Sequence, residues 1–341
     1  MTVTSLLPGV SVVIPTLNAE KYLGECLAAL RDQDYPAKLL EIVVVDAGST
    51  DRTLAIAKEH GVDTVLPNPL RTGEAGKAVG LRAAKHDLLC MVDSDNVVVG
   101  GDWLRRMVAP FDDAAVISSE ALRWDYRRDD HFINRYQALT GINDPLALFI
   151  GNYDRWSELT ERWTDYPYHS DQREGWERVE LNPRYVPTMG ANGYIVRRRA
   201  FDVVPVDDYF FDIDFVYDLV QRGERVVARV DVAIRHYFCD SVRRFYLKTR
   251  RRTEDYHYFA RAGRRSYPWT QRQRIGVIRF IVSTLLIVPL LIQIQRGWRR
   301  KRDPAWLFHV PACWITLGVY TAGYVRGRLA PEMLDREGWS Q

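Results

Sequence analysis

Several acidic positions follow short apolar runs, where a strand would deliver them to a loop. Asp93-Ser94-Asp95 comes directly after residues 88–92, and Asp46 follows residues 41–45. Two carboxylates one residue apart offer hard oxygen donors that suit Mg²⁺ or Mn²⁺. Such an ion bridges protein carboxylates to a diphosphate and neutralises charge on a departing phosphate oxygen. In Asp46-Ala47-Gly48-Ser49-Thr50-Asp51, the first aspartate is placed to accept from a nucleobase or a ribose hydroxyl, whereas Ser49 and Asp51 also read as helix-capping residues. Farther on, His236 ends an apolar run and is followed by Arg243, Arg244, Lys248, Arg250, Arg251 and Arg252. Guanidinium groups pair well with phosphate oxygens, so this cluster suits a donor diphosphate, a lipid-linked phosphate on an acceptor, or lipid headgroups; the plainer alternative is a solvated helix face.

Such groups act together only if regular elements present them on one edge. Residues 10–15 form a short β-branched run ending at proline and predict a buried parallel strand. Tyr22, Leu23, Cys26, Leu27 and Leu30 then recur at helical spacing, with Asn18 as the expected N-cap. The unit repeats with a strand at 41–45 and a helix at 50–59, then with a helix at 76–84 before a strand at 88–92. Parallel strands need such crossovers, and ligands of open α/β sheets bind where the strands end. The polar loops 16–20, 46–51 and 93–96 all fall on that edge. From 123 to 185 the periodicity weakens and aromatic residues accumulate, including Trp124, Tyr136, Trp156, Trp163 and Trp176. This stretch reads equally as an inserted acceptor-side region or as a ring-packed, loop-rich subdomain. Residues 190–197 lead through glycine into a further strand, and 212–223 form a helix stopped by Gly223.

The chain has 341 residues, 47% hydrophobic and 27% charged, which describes a globular protein with room for a catalytic domain and an appendage. A net charge of +3 gives no reason to expect nucleic acid as a partner. Cys26, Cys90, Cys239 and Cys313 are far apart, predicting neither a disulfide framework nor a zinc site and fitting a reducing compartment. Residues 1–8 lack the basic and apolar regions of a secretory signal. The C-terminal part differs: 280–295 and 305–325 carry no Asp, Glu, Lys or Arg and flank a basic segment at 296–302. The first run is short for a span of roughly 20 residues and the second just reaches it. Two full crossings would place the basic loop opposite the N-terminal domain, against the usual cytoplasmic bias of such loops. With Pro289 and Pro311 inside the runs, two re-entrant or interfacial segments are expected, the basic loop resting on anionic lipid headgroups; a soluble helical hairpin or dimer interface is the alternative.

The segment Ser11-Val12-Val13-Ile14-Pro15-Thr16-Leu17-Asn18-Ala19-Glu20, residues 46–53 and Asp93-Ser94-Asp95 resemble, in order and spacing, the inverting family 2 glycosyltransferases of GT-A fold. Residues 71–82, with Gly73, Lys77 and Gly80, resemble the loop and helix before that family's acidic motif. The likeness is strong over 9–100, resumes at 189–194 and 212–223, and fades beyond about residue 260. It implies an α/β GT-A type nucleotide-binding fold with a mostly parallel central sheet, to which the apolar runs add a C-terminal helical membrane-associated region. The implied division is a catalytic domain over 1–240 (nucleotide-sugar part 9–100, acceptor-side part 101–240), basic interfacial helices over 241–274, and two apolar helical segments over 275–341. Pro15, Thr16, Glu20, Asp46, Arg71, Lys77, Asp93 and Ser94 are the implied nucleotide contacts. Asp95 and Asp93, completed by His236, are the implied ligands of Mn²⁺ or Mg²⁺.

By the same resemblance Asp212 stands where the family's general base stands, with Asp214 as the fallback, and Gly190, Ala191, Asn192, Arg251 and Arg252 face the acceptor or a phosphate. Phe211 replaces an acidic residue usual before the base, Ala47 stands where a second Asp is common, and Asp218 where an Arg is common. The implied reaction moves a sugar, from a UDP-sugar, to a membrane-associated acceptor such as a polyprenyl-phosphate or lipid-linked glycan, with inversion, at the cytoplasmic face of the cell membrane. Two other readings remain: a sugar-nucleotide nucleotidyltransferase, which usually opens with a glycine-rich loop where this chain has Pro15-Thr16-Leu17-Asn18, and a silent nucleotide-sugar-binding scaffold. The catalytic reading predicts that Asp46, Asp93, Asp95 and Asp212 converge on one cleft.

Overall fold

A computed structural model describes residues 7–268 and 273–329. They form two compact units, one of residues up to 122 with 168–235, the other of 123–167 with 236 onward. In the first unit, β1 (Val10–Thr16), β2 (Leu40–Asp46) and β4 (Leu88–Met91) are continuous apolar runs because helices or neighbouring chain cover both faces of the sheet; Val12, Val13, Val43, Val44 and Leu89 are wholly buried. Between them come α1 (Leu23–Arg31), α2 (Thr53–Glu59), β3 (Thr64–Pro67) and α3 (Gly73–Ala83). The short β5 (Asn96–Val98) and α4 (Trp103–Val108) lead to β6 (Ser118–Trp124).

The second unit begins with α5 (Phe132–Thr140) and α6 (Leu146–Ile150). The chain then returns to the first unit through the hairpin β7 (Tyr168–Arg173) and β8 (Trp176–Leu181), then β9 (Tyr194–Arg197), α7 (Ala200–Val203), α8 (Asp212–Gln221) and β10 (Val226–His236). The sheet order is β3-β2-β1-β4-β9-β6-β10-β8-β7, with β5 on β10. The half that carries the acidic loops is parallel, with Thr16 of β1 level with Asp46 of β2 and Val13 level with Met91 of β4. From β9 onward the recorded pairings are antiparallel.

Two glycines let α3 lie directly on β1. A Cβ at Gly80 would stand 2.3 Å from Val13 Cγ1, and one at Gly76 2.9 Å from Pro15 Cβ. Any larger residue at Gly80 would push the helix off the strand. That close seat carries Lys77, one residue beyond Gly76, to the strand-end edge. The expected N-cap Asn18 does not cap α1. It adopts a left-handed φ of 47°, and Tyr22 occupies the cap position without a side-chain bond. Its side chain instead accepts from Thr50 N at 2.8 Å, so it ties the first loop to the second.

The second unit continues with α9 (Val242–Arg261), α10 (Arg274–Leu286), α11 (Val288–Arg300) and α12 (His309–Leu329). Its core gathers Tyr136, Phe245, Trp306 and Phe308 on one side and Phe149, Phe280, Leu290 and Cys313 on the other. A Cβ at Gly276 would meet Phe149 O at 2.6 Å, so α10 packs backbone-close on α6. The apolar run 280–295 is not one helix: it bends by 95° at Ile287, whose φ is 62°. Proline at 289 explains the break, since it lacks an amide hydrogen for the preceding turn. The run 305–325 does not form the full-length span its composition suggests. A 3₁₀ turn at Pro304–Phe308 takes up its start, and Ala312, Cys313 and Thr316 are buried within the unit. Among the described residues no single helix is long and apolar enough to cross a membrane, although the bent α10–α11 pair passes together on length and composition.

Candidate active site

The first two loops are stitched into one surface. Asn18 N donates to Ser49 Oγ, Ala19 N to Thr53 Oγ1 and Glu20 N to Asp51 Oδ2, while Arg52 N donates back to Glu20 Oε2. Asp46 sits at the centre of this work. Its Oδ1 accepts from Thr16 Oγ1 at 2.9 Å and Ser49 Oγ at 2.5 Å, and its Oδ2 accepts from the amides of Gly48 and Ser49. Four donors saturate a carboxylate. Asp46 and Thr16, expected to touch the nucleoside directly, are thus bonded into one wall with the 48–49 turn, while the exposed Glu20 accepts from Arg52 N. Pro15 packs against Gly76.

Beside that wall lies a cleft of about 600 Å³ lined by Asp46, Ala47, Leu54, Val65, Asn68 and Arg71. Arg71 holds a left-handed φ of 54° and donates its Nε to Ala47 O at 3.2 Å, which lays the guanidinium along the rim. Leu54 and Val65 leave apolar surface exposed there. An apolar pocket with few polar groups suits a flat heteroaromatic ring. Sequence reasoning found Arg71 but missed Leu54, Val65 and Asn68. The only signal was a pair of apolar residues at positions where an amphipathic helix and an edge strand should be polar.

The acidic motif is one strand beyond β1, so the Asp46 and Asp93 loops lie two strand spacings, roughly 10 Å, apart along the edge. That matches the reach from a nucleoside to its phosphates. Asp93, Ser94 and Asp95 are all half-buried in a turn closed by Asn96 N on Asp93 O. Cys26 stands behind it, its Sγ 3.9 Å from Asp93 O. Burial, aided by the charges of Asp95 and Asp93, pushes that thiol well above its ordinary range.

Lys77 joins the motif to α8. Its Nζ lies 3.3 Å from Asp93 Oδ1 and 3.4 Å from Asp212 Oδ2, with the lysine 7% exposed. Burial alone would depress its pKa, but Asp93, Asp212 and Glu74 outweigh it and hold the ammonium charged well above the usual lysine range. Asp212 is the first residue of α8 and accepts from Ile213 N. Asp214, the fallback base, is buried at 5% exposure, whereas Asp212 keeps 23%. Lys77, expected on the nucleotide, is thus the bridge between the acidic motif and the candidate base.

Gly190 supports the same helix. Its φ is 108°, and a Cβ there would stand 2.7 Å from Asp212 O. Gly190 N donates to Glu120 Oε1, and Glu120 pairs with Arg229, both without exposed side-chain surface. Asn192 (φ 42°, buried) and Ala191 complete this turn, which Gly193 N closes on Met91 O. Glu120 and Arg229 were not legible as site residues, although a charge inside each of two apolar strands was the available signal.

The donor set fits a hard divalent cation in part. Asp93 and Asp95 present carboxylates at the edge, but among the described residues no three His, Cys, Asp or Glu side chains form a group able to hold a metal. Two carboxylates alone do not fill the shell of such a cation, so diphosphate oxygens would have to complete it. His236 belongs to the second unit, where its Nδ1 lies 2.8 Å from Gln137 Nε2 and its ring packs by Trp124 and Phe238. Arg251 and Arg252 are on α9 of that unit, with the Arg252 guanidinium 5.3 Å from the Phe238 ring.

Residues 11–169 match the sequence profile of Glycosyl transferase family 2. The chain carries a glycosyl transferase family 2 domain. This domain is 39% identical over 93 residues to the poly(ribitol-phosphate) β-N-acetylglucosaminyltransferase TarS of Staphylococcus aureus, covering 26% of this chain and 16% of that protein. It is 48% identical over 50 residues to a Methanococcus voltae dolichyl N-acetyl-α-D-glucosaminyl phosphate 3-β-D-2,3-diacetamido-2,3-dideoxy-β-D-glucuronosyltransferase, covering 15% of this chain and 16% of the relative. The chain thus spans about a sixth of the length of these two curated relatives. The mannosyltransferase PcManGT of Pyrobaculum calidifontis, solved with GDP-Man and Mn²⁺, shares the fold at a TM-score of 0.55 and 18% identity, over 96% of this chain and 89% of that one. The glycosyl transferase family 2 domain therefore has a GT-A-like α/β fold.

Proposed function

We propose that the first unit transfers a sugar from a nucleotide-sugar, a UDP-sugar by family resemblance, to a hydroxyl of a membrane-associated, lipid-linked acceptor with inversion at the anomeric carbon. The observation that carries this reading is the Asp93–Lys77–Asp212 bridge, which sets a candidate base beside the acidic motif at the strand-end edge. The cleft by Arg71 and Ala47 takes the base, and the stitched loops orient the ribose. Where a divalent ion such as Mn²⁺ or Mg²⁺ is bound, Asp93 and Asp95 would hold it and it would supply charge neutralisation on the departing diphosphate. Asp212 takes the proton of the acceptor hydroxyl. The acceptor oxygen then bonds to the anomeric carbon from one face as the bond to the diphosphate breaks on the other, its electron pair leaving with the nucleoside diphosphate. Lys77 fixes Asp212 in place, and its charge also faces the anion that forms.

The acceptor class is supported by the names of both curated relatives, each of which acts on a phosphate-bearing acceptor. Four buried free cysteines agree with a reducing compartment and hence a cytoplasmic face. The test is a panel of nucleotide-sugars with Mn²⁺ or Mg²⁺, with and without lipid-phosphate extract, reading released nucleoside diphosphate and the anomeric configuration of the product. Metal-dependent release that Asp95→Ala and Asp212→Asn abolish supports the reading. Full turnover in Asp212→Asn, or retained configuration, overturns the assignment of the base.

A further inference from the structure

The tip of the α10–α11 bend is bare hydrocarbon. Leu285, Leu286, Val288 and Leu291 are 56%, 62%, 60% and 51% exposed, and no charged residue lies between Arg279 and Arg296. On α10 the exposed positions 278, 281, 282 and 285 recur at helical spacing, and 288, 291 and 292 do so on α11, so each arm shows one continuous apolar face and the two meet at Ile287. Soluble monomers rarely leave such a patch uncovered. The inner faces of both arms, at Phe280, Leu290 and Ile294, are already buried in the unit. Folding therefore holds the outer faces in place with nothing in the unit over them.

Charge says what covers them. Residues 256–302 contain eleven Lys and Arg and no Asp or Glu. Arg274 and Arg279 stand at the base of one arm and Arg296 and Arg299 at the base of the other, all exposed. An apolar tip with cations only at its base matches hydrocarbon below anionic headgroups. Size decides how deep it goes. Arg279 and Arg296 are eight and nine residues from Ile287, so at about 1.5 Å per residue the arms are about 12 to 14 Å long and, bent near a right angle, the tip stands about 9 Å beyond the arginines. The hydrocarbon core is about 30 Å thick, so a 9 Å wedge enters one leaflet and does not cross.

We infer that the α10–α11 bend is a monotopic membrane wedge, inserted into one leaflet of an anionic bilayer with Arg274, Arg279, Arg296 and Arg299 at the headgroups. It stands independently of the glycosyl-transfer reading and is tested without donor or acceptor. The four native cysteines are buried, so Leu286→Cys in the full chain offers a selectively labelled thiol. Flotation with phosphatidylcholine vesicles, with and without phosphatidylglycerol, measures binding. An environment-sensitive fluorophore at position 286, quenched by nitroxides at shallow or mid-bilayer depth, measures depth. The expected result is flotation that falls at least tenfold without phosphatidylglycerol, stronger quenching from shallow nitroxides, and loss of at least tenfold in Leu286→Gln/Val288→Gln with an unchanged thermal melt. An aqueous label, equal flotation of the double variant, indifference to phosphatidylglycerol, or strongest quenching at mid-bilayer each overturns the inference. So does a vesicle-free dimer that the double variant dissociates, since a second copy would then be the occupant.

Discussion

Replacing Lys77 by methionine keeps the volume of the buried stem and removes its charge. Both Asp93 Oδ1 and Asp212 Oδ2 lie within 3.4 Å of Nζ. An ammonium 3.4 Å from a carboxylate oxygen attracts it by about 5 kcal/mol at an effective dielectric of about 20, and the variant loses that attraction at both aspartates. The repulsion between the two aspartates is common to both enzymes and is left uncompensated. Both aspartates keep some exposure, 34% and 23%, so water entering the vacated space screens most of the effect. The expected result for Lys77→Met is turnover lowered by about tenfold or more, a loss of about 1.4 kcal/mol or more. Initial rates of nucleoside diphosphate release from pH 5 to 9, with the melting temperature recorded alongside, measure it. A profile superimposable on wild type, in an enzyme that Asp212→Asn inactivates, would refute the bridge as an electrostatic support of the base.

The remaining predictions concern folding and geometry. Glu120→Ala leaves the Arg229 guanidinium in a fully buried site without its carboxylate, so unfolding in urea should show a loss of about 3 to 5 kcal/mol, and a loss below about 1 kcal/mol would contradict the burial argument. Gly190→Ala drives a methyl into the Asp212 carbonyl and a left-handed turn, so kcat should fall at least tenfold while the nucleotide Kd stays within about threefold; the reverse pattern would show that the loop serves donor binding instead. Asp144 has its pKa pushed up to about 6, chiefly by burial, against opposing help from Leu146 N and Arg252. Because the folded value lies above the unfolded one, its contribution is complete below about pH 4 and is lost as pH rises through 6. Asp144→Asn should then gain up to about 3 kcal/mol over wild type at pH 7 and little at pH 4. A constant difference across that range would count against it.

The parallel half of the sheet was legible because its strands are buried on both faces and read as mostly apolar runs. Residues 10–15, 41–45 and 88–92 agree with β1, β2 and β4 to within a residue or so at their ends. The order of the acidic loops along the edge followed from that pattern. What the residues did not announce was their division of labour. Asp46 looks like a ligand-facing carboxylate in one dimension, yet loop amides and hydroxyls claim both of its oxygens, because those donors also need partners. Lys77 looked like a phosphate ligand, but the 135 residues separating it from Asp212 hid the contact that defines it. The bend at Ile287 was signalled by Pro289, whereas burial of Trp306, Phe308, Ala312 and Cys313 within a helical unit depended on partners in 132–150 that no local period encodes.

The first unit is discontinuous: the chain leaves it after residue 122 and returns at 168. Thr16, Asp46, Lys77 and Asp93 lie in the earlier portion, whereas Gly190, Asp212 and Arg229 lie in the later one. A growing chain that has completed only β1 to β6 holds most of the candidate donor-side groups but neither the base nor the turn and ion pair that seat it. Such long-range closure is slow compared with local helix formation. Catalytic competence should therefore appear late and all at once during refolding, well after the parallel strands have become protected from hydrogen exchange.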